Sequence, residues 1–416
     1  MTQQDCCPEF ATLSRRGLFR GALAVGASTT VFGSAVVTAS PASAASAPSV
    51  LVVLSLRGAC DGLSLVVPHA DPAYYAARPN IAVPSETLLA KDGMFGLHPQ
   101  LEPLLPFWTA GKMAAVHATG LPVPNRSHFA AMEEVEDAAP GSSVRSGWLN
   151  RLVGTDADAN PLQGLNLAGG VPPTSLYGPQ PVMSATSVGG VAIAGDDDWD
   201  TEHRRVRALH ALWDGNSSGL GQAMKSTFGA VAGFQPVKDT PDQPANGAEY
   251  PGSDLGRALG EVARVIKGDV GVAVLTVDQG DWDMHTDIGT VEWGLLVQNA
   301  GDLARSLAAF LTDLGPWADR VTVVTISEFG RRVQENASGG TDHGYGNVMF
   351  LAGAGVKGGT YYGTWPGLSN TLDGDLLVTT DYRSVLSEIV VSRFGASPAT
   401  VFPGFVRSPV GVMLGG

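Results

Sequence analysis

The sequence predicts an α/β fold built on a mostly parallel central sheet, and three observations carry that expectation. Runs such as Val321–Ile326 (VTVVTI) and residues 49–56 (SVLVVLSL) are apolar or β-branched almost throughout, as strands buried on both faces are. In the second half these runs alternate with helical patterns: a strand over 270–277, a helix from about 291 to 314, then a strand over 321–326. That alternation is the rhythm of βαβ units. The strand runs also end on loops that carry acids and histidines, and in open α/β sheets ligands gather outside the carboxyl ends of the strands.

The chain opens on a targeting pattern. Ser14, Arg15, Arg16, Gly17, Leu18 and Phe19 resemble the twin-arginine export motif, an apolar stretch covers 21–37, and Ala42-Ser43-Ala44 offers a cleavage site. Gly, Ser and Thr interrupt the apolar stretch, which falls short of the roughly 20 residues a membrane span needs. The expectation is therefore a signal over 1–44, no transmembrane anchor in the mature protein, and one domain over 45–416, secreted or held at the cell envelope. Of the three cysteines only Cys60 lies outside that segment, which excludes an intramolecular disulfide and a Cys-based zinc site in the mature chain. The formal net charge of −14 argues against nucleic acid as a partner, because its recognition relies on basic surface.

Residues 49–56 run into Arg57-Gly58-Ala59-Cys60-Asp61-Gly62. Asp61 reads either as Asp-Gly turn chemistry or as an acid at a strand end, and Cys60 as a small buried hydrophobe. Residues 68–112 are rich in Pro and turns, with His98 read as structural. A short strand over 113–117 and a loop over 119–126 lead into Ser127-His128-Phe129, which open a helix through Asp137. Ser127 fits an N-cap, and the same geometry would present its hydroxyl beside N–H donors that favour an anionic ester. His128 is either a ligand or a hydrogen-bonding neighbour.

Residues 141–251 carry less signal: a strand-like piece over 191–194, an acidic loop over 196–198 and a helix over 201–213. An exposed connection over 233–254 precedes a helix over 255–266. The 270–277 run ends in DQGDWDMHTD, where Asp281, Asp283 and His285 alternate along an extended segment and so share a face. The 321–326 run ends on Ser327 and Glu328, and a Gly-rich loop then delivers Thr341, Asp342, His343 and Gly344 beside them. A strand over 347–351 and a helix over 381–394, capped by Asp381, close the domain. The G-x-S-x-G match at 215–219 lacks a preceding strand, and the G-x-G-x-x-G match at 353–358 lacks a following helix, so neither is functional.

Carboxylates and imidazoles gathered at strand ends suit zinc, manganese or iron better than calcium or magnesium. The blocks LRGACDGLSLVVP, NRSHF, DWDMH, SEFGR and GTDHGYGN, in this order, resemble the bacterial domain-of-unknown-function family 1501, which is grouped with the alkaline phosphatase and sulfatase-like superfamily. The resemblance implies a three-layer α/β/α sandwich with one or two divalent metal ions at the carboxyl edge of the sheet. It implies metal roles for Asp61, Asp283, His285, Glu328, Asp342 and His343, and catalytic roles for Ser127, His128 and Arg331. Arg331 or Arg57 would either bind the nonbridging oxygens of the ester through a planar fork or stand on the surface or behind the metal ligands. The expected activity is metal-dependent hydrolysis of phosphate or sulfate esters, on a small molecule or an envelope polymer. The alternative is a noncatalytic extracellular protein of the same fold that binds metal or a partner.

Overall fold

The computed structural model describes residues 29–32, 35–38, 46–143, 145–156, 160–167, 171–193 and 199–415. The arginine motif at 14–19, the cleavage site at 42–44 and the acidic run at 196–198 lie outside the described residues.

The chain forms the strands β1 (Val50–Leu56), β2 (Met113–Gly120), β3 (Gly164–Asn166), β4 (Val274–Gln279), β5 (Val321–Ile326), β6 (Arg331–Glu335), β7 (Thr341–His343) and β8 (Asn347–Gly353). Its principal helices are α1 (His128–Asp137), α2 (Asp254–Gly268), α3 (Leu295–Leu314) and α4 (Tyr382–Phe394). The centre of the main sheet runs β3-β4-β1-β5-β8-β2. Strands β3, β4, β1 and β5 are mutually parallel, and β8 runs against both of its neighbours.

Side-chain alternation sorts β1 onto two cores. Val50, Val52, Leu54 and Leu56 join the face covered by α2 and α3, through Leu259, Val262, Leu303 and Phe310. Leu51 and Val53 join the face covered by α1 and α4, through Ala131, Val135, Val385 and Ile389. The same split holds in β5, with Val323 on the first face and Val324 on the second. The period of two on a strand buried from both sides makes the protein a three-layer α/β/α sandwich. Each fully buried Val, Leu or Ile contributes about 1.5–3 kcal/mol through its removal from water.

Some boundaries differ from the sequence reading. Strand β4 starts at Val274 rather than 270, because Asp269 and Gly271 take left-handed backbone angles, φ 51° and 80°. Helix α3 starts at Leu295 rather than near 291, because Gly294 enters with φ 116° and Thr290 N–H bonds the Trp293 carbonyl in a tight turn. Within the Pro-rich 68–112 stretch, a 3₁₀ turn (Pro99–Leu104) runs into a short helix (Leu105–Thr109), with Pro103 and Pro106 unable to donate to a continuous ladder. Helix α4 begins as expected, with Asp381 Oδ1 accepting from Arg383 N–H at 2.9 Å. No helix among the described residues is long and apolar enough to cross a membrane.

The reversed strand β8 is what closes the site. Its first residue, Asn347, stands at the edge where β1, β4 and β5 finish, so the β6–β7 hairpin must fold over that edge.

Candidate metal centre

Three loops meet above the strand ends. After β4 the segment 282–285 alternates, with Trp282 and Met284 fully buried while Asp283 and His285 face outward together. Asp281 does not share that face in extended backbone as the spacing suggested, because its φ of 64° turns the chain before the alternation begins. After β5, Glu328 sits 3% exposed below the site, and the β6–β7 hairpin brings His343. The loop before α1 brings His128.

The glycines here serve close packing rather than bending. A Cβ on Gly340 would fall 2.2 Å from the His285 carbonyl carbon, and one on Gly58, at φ 109°, would fall 2.5 Å from the Asp283 nitrogen. Backbone approach at that distance is open to glycine alone.

Three imidazoles converge. His343 Nε2 lies 3.0 Å from His128 Nε2 and 3.0 Å from His285 Nε2. Asp283 completes the group, with Oδ1 3.0 Å from His285 Nε2 and 3.3 Å from His343 Nε2, and Oδ2 3.6 Å from His128 Nε2. The outer nitrogen of each ring meets an oxygen: His128 Nδ1 lies 2.8 Å from Glu328 Oε1, His285 Nδ1 2.9 Å from Asp342 Oδ1, and His343 Nδ1 3.0 Å from the Arg126 carbonyl. A carbonyl or carboxylate can only accept, so each Nδ1 carries a hydrogen, and in the neutral, metal-binding form of the ring each Nε2 turns a lone pair inward. Arg331 Nη1, which can only donate, lies 3.5 Å from His285 Nε2 and agrees with that tautomer.

Inward lone pairs this close, beside a carboxylate, repel one another unless a cation lies among them. An outer oxygen on each ligating imidazole is the arrangement that orients histidines on a metal. His128, Asp283 and His343 offer donor atoms all within 4.8 Å of one another, and His285 joins through His343 and Asp283. The set of imidazole nitrogen and carboxylate oxygen fits zinc, manganese or iron.

Without an ion, protons on the imidazoles balance the Asp283 carboxylate instead. Burial opposes charge on Asp283, yet hydrogen bonds from His128, His285, His343 and Arg331 hold its carboxyl far below the usual range. Burial likewise opposes charge on His128, but Asp283 and Glu328 pull its imidazolium up to about 9. Despite its burial, Glu328 is held low by His128 and the Gly58 N–H, which donates at 2.8 Å. Asn336 fixes the outer carboxylate, donating to Asp342 Oδ1 at 3.0 Å and to the His285 carbonyl at 2.9 Å.

The sequence-predicted residues therefore divide. His128, Asp283, His285 and His343 come together at the centre, and Glu328 and Asp342 stand behind imidazoles rather than beside a shared ion. Asp61 lies apart, 2% exposed, with Arg78 donating to both carboxylate oxygens and Ser64 Oγ to Oδ2 at 2.6 Å. Ser127 holds the N-cap position, but its hydroxyl makes no capping bond; its own N–H instead donates to Asn125 Oδ1 at 3.1 Å, an Asx turn that sets up the helix entry. Arg331 is not a surface fork for substrate oxygens: its side chain is fully buried and its N–H groups go to the carbonyls of Gly58, Ala59, Trp282 and Thr341 and to Asp283. Arg57 is engaged by Glu136 and Asp278. Cys60 is fully buried, and burial pushes its thiol up to about 12.

Sequence reasoning missed Arg78, Asn336 and the Arg126 carbonyl. Nothing in the spacing of Arg78 from Asp61 marks the pair, because the loop between them folds back through tertiary contact.

Over residues 94–383 the chain matches the family described as protein of unknown function (DUF1501). It belongs to that family. No curated protein sequence matches it. Solved structures similar to this member include the lipoteichoic acid synthase LtaP from Listeria monocytogenes, 10% identical over 81% of this chain and 71% of that one, with a TM-score of 0.33. Another is Ps i-CgsB, 12% identical over 84% of this chain and 72% of that one, with a TM-score of 0.34.

Proposed function

We propose that this protein is a metal-dependent hydrolase of phosphate or sulfate esters that works outside the cytoplasm after twin-arginine export. The observation that carries the chemistry is the convergence of three Nε2 atoms on Asp283, each ring held from behind by an oxygen acceptor. The site also meets solvent, since the side chains of Asp283 and His285 are 31% and 27% exposed. A sealed structural site would need no such opening. The ester class follows from the sequence resemblance, and the export route from Arg15 and Arg16.

A bound divalent ion would supply Lewis acidity toward an ester oxygen and lower the pKa of water it binds. His128, His285, His343 and Asp283 would hold it. Glu328, Asp342 and the Arg126 carbonyl keep each Nδ1 hydrogen outward, so that every Nε2 stays a ligand rather than a donor. Arg331 fixes Asp283 from below. Phe329 packs under His128 and His343, with ring centroids 4.9 and 5.0 Å away, and limits their rotation. Ser127, the residue before His128, offers a hydroxyl that the helix cap does not use.

One observation favours the noncatalytic alternative. Both arginines that the sequence offered for the nonbridging oxygens, Arg57 and Arg331, are spent on internal partners. The two readings separate by elemental analysis and a screen of phosphate and sulfate esters, on the purified protein and on a His285→Ala, His343→Ala double variant. The expected result is bound transition metal and ester hydrolysis in the first, and neither in a folded variant. Metal without turnover on any ester supports the binding protein, and a folded wild type free of metal sinks the centre itself.

A further inference from the structure

We infer that the centre holds one divalent ion, because the buried acids that a second ion would need are bonded elsewhere and a buried arginine flanks the ligands; this rests on the metal reading above. Two-metal hydrolase sites place ions about 3.5–4 Å apart and surround both with oxygen and nitrogen ligands. The buried acids at these strand ends, Asp61 and Glu328, are already committed.

Asp61 is the clearest case. Arg78 lies 2.5 Å from its Oδ2 through Nη1 and 3.0 Å from its Oδ1 through Nη2, a fork that covers both oxygens. The same guanidinium donates to the carbonyls of Arg332 and Val333, each at 2.9 Å, and is 0% exposed. Glu328 is engaged as well: Oε1 receives Gly58 N–H and faces His128 Nδ1, while Oε2 lies 3.1 Å from Ser327 Oγ, whose single hydrogen is shared with the Leu56 carbonyl at 2.8 Å.

Arg331 fills the space beside the ligands themselves. Its Nη2 donates to Asp283 Oδ1 at 2.6 Å, its Nη1 lies 3.5 Å from His285 Nε2, and carbonyls of three segments, at Gly58 and Ala59, at Trp282 and at Thr341, anchor the rest. A guanidinium has no lone pair and stays protonated at any accessible pH, so it can neither become a ligand nor lose its charge. A second dication beside Asp283 would meet that fixed charge within a few ångströms. The Arg331 guanidinium thus stands as a permanent cation on the flank of a single-ion site.

The experiment uses Co²⁺ as the probe, titrated into the metal-stripped full-length protein and followed by visible absorption, beside elemental analysis of the protein as purified. We expect the absorbance to rise to about one equivalent and stop, with about one equivalent of metal in the untreated protein. An end point near two equivalents overturns the single-ion inference and leaves the metal reading standing; no binding overturns both. The Asp61→Asn variant should keep the same end point and an affinity within about tenfold, and a larger fall in a folded variant makes Asp61 a ligand and overturns the inference. Should that variant not fold, the wild-type end point decides alone.

Discussion

Asp61 and Asp283 look alike in sequence, each an acid just past a buried strand run, and each meets a fully buried arginine in the structure. Their surroundings differ. Asp61 is 2% exposed and closed over by Arg78, whereas the Asp283 side chain is 31% exposed and faces three imidazoles. The first pair is a structural tie between the loop after β1 and the β6 backbone; the second is the floor of an open donor cluster. Histidines repeat the contrast. His98 beside Asp61 is driven down to about 4 by burial, while His128 beside Asp283 is drawn up to about 9 by its two carboxylates against the effect of burial. A strand-end acid becomes a site only where neighbouring loops bring donors and leave a path to water.

The largest effect should come from unsealing the closed pair. Arg78→Met strands a buried carboxylate, and removing one partner of a buried pair destabilises by about 3–5 kcal/mol. Urea unfolding checks it, with metal per folded molecule unchanged; a loss under about 1 kcal/mol would show that Asp61 reaches water and is no structural tie.

Acid should act next, on the buried neutral histidines. Burial pushes both His98 and His117 from 6.5 down to about 4, so the unfolded chain binds their protons first as pH falls. The unfolded state holding more protons, stability is full above pH 6.5 and declines as pH drops toward 4, by on the order of 3 kcal/mol for each histidine. His117 stacks on Phe95 with centroids 4.3 Å apart, so His117→Phe keeps a ring there without a proton site. The pH slope of unfolding free energy between these limits should shrink in that variant, and an unchanged slope would remove His117 from the account.

The smallest effect should be at Ser127. Ser253 caps α2, its Oγ accepting from Gly256 N–H at 3.0 Å, and Ser253→Ala should cost about 1 kcal/mol. Ser127→Ala removes no capping bond and should stay within about 0.5 kcal/mol. A Ser127→Ala loss as large as that of Ser253→Ala would restore the capping role and weaken the case for a hydroxyl available to chemistry.

Much of the fold was legible because burial on both faces leaves a strong local mark. The runs at 50–56 and 321–326 and the long apolar periodicity of α2 and α3 specify strands and helices with little help from context. Boundaries slipped where a non-glycine residue such as Asp269 took a left-handed angle, since that backbone choice is weakly encoded outside glycine. The candidate site was legible in its residue types: His285, His343 and Asp283 sit where a strand end met a loop of acids and imidazoles.

Sequence alone thus determined the buried strands, their alternation with helices and the residue types that end them, because these follow from hydrophobic period and from which side chains end each run; the three layers came from the family resemblance. Tertiary structure decided the roles. It drew His128 into the centre beside Ser127, set Glu328 and Asp342 behind their imidazoles, and gave Asp61 to Arg78. Those outcomes depend on which loops fold over the same edge, through contacts between segments far apart in sequence, as in the Gly58 N–H bond to Glu328 across 270 residues and the Asn347 contact of β8 with Cys60 across 287.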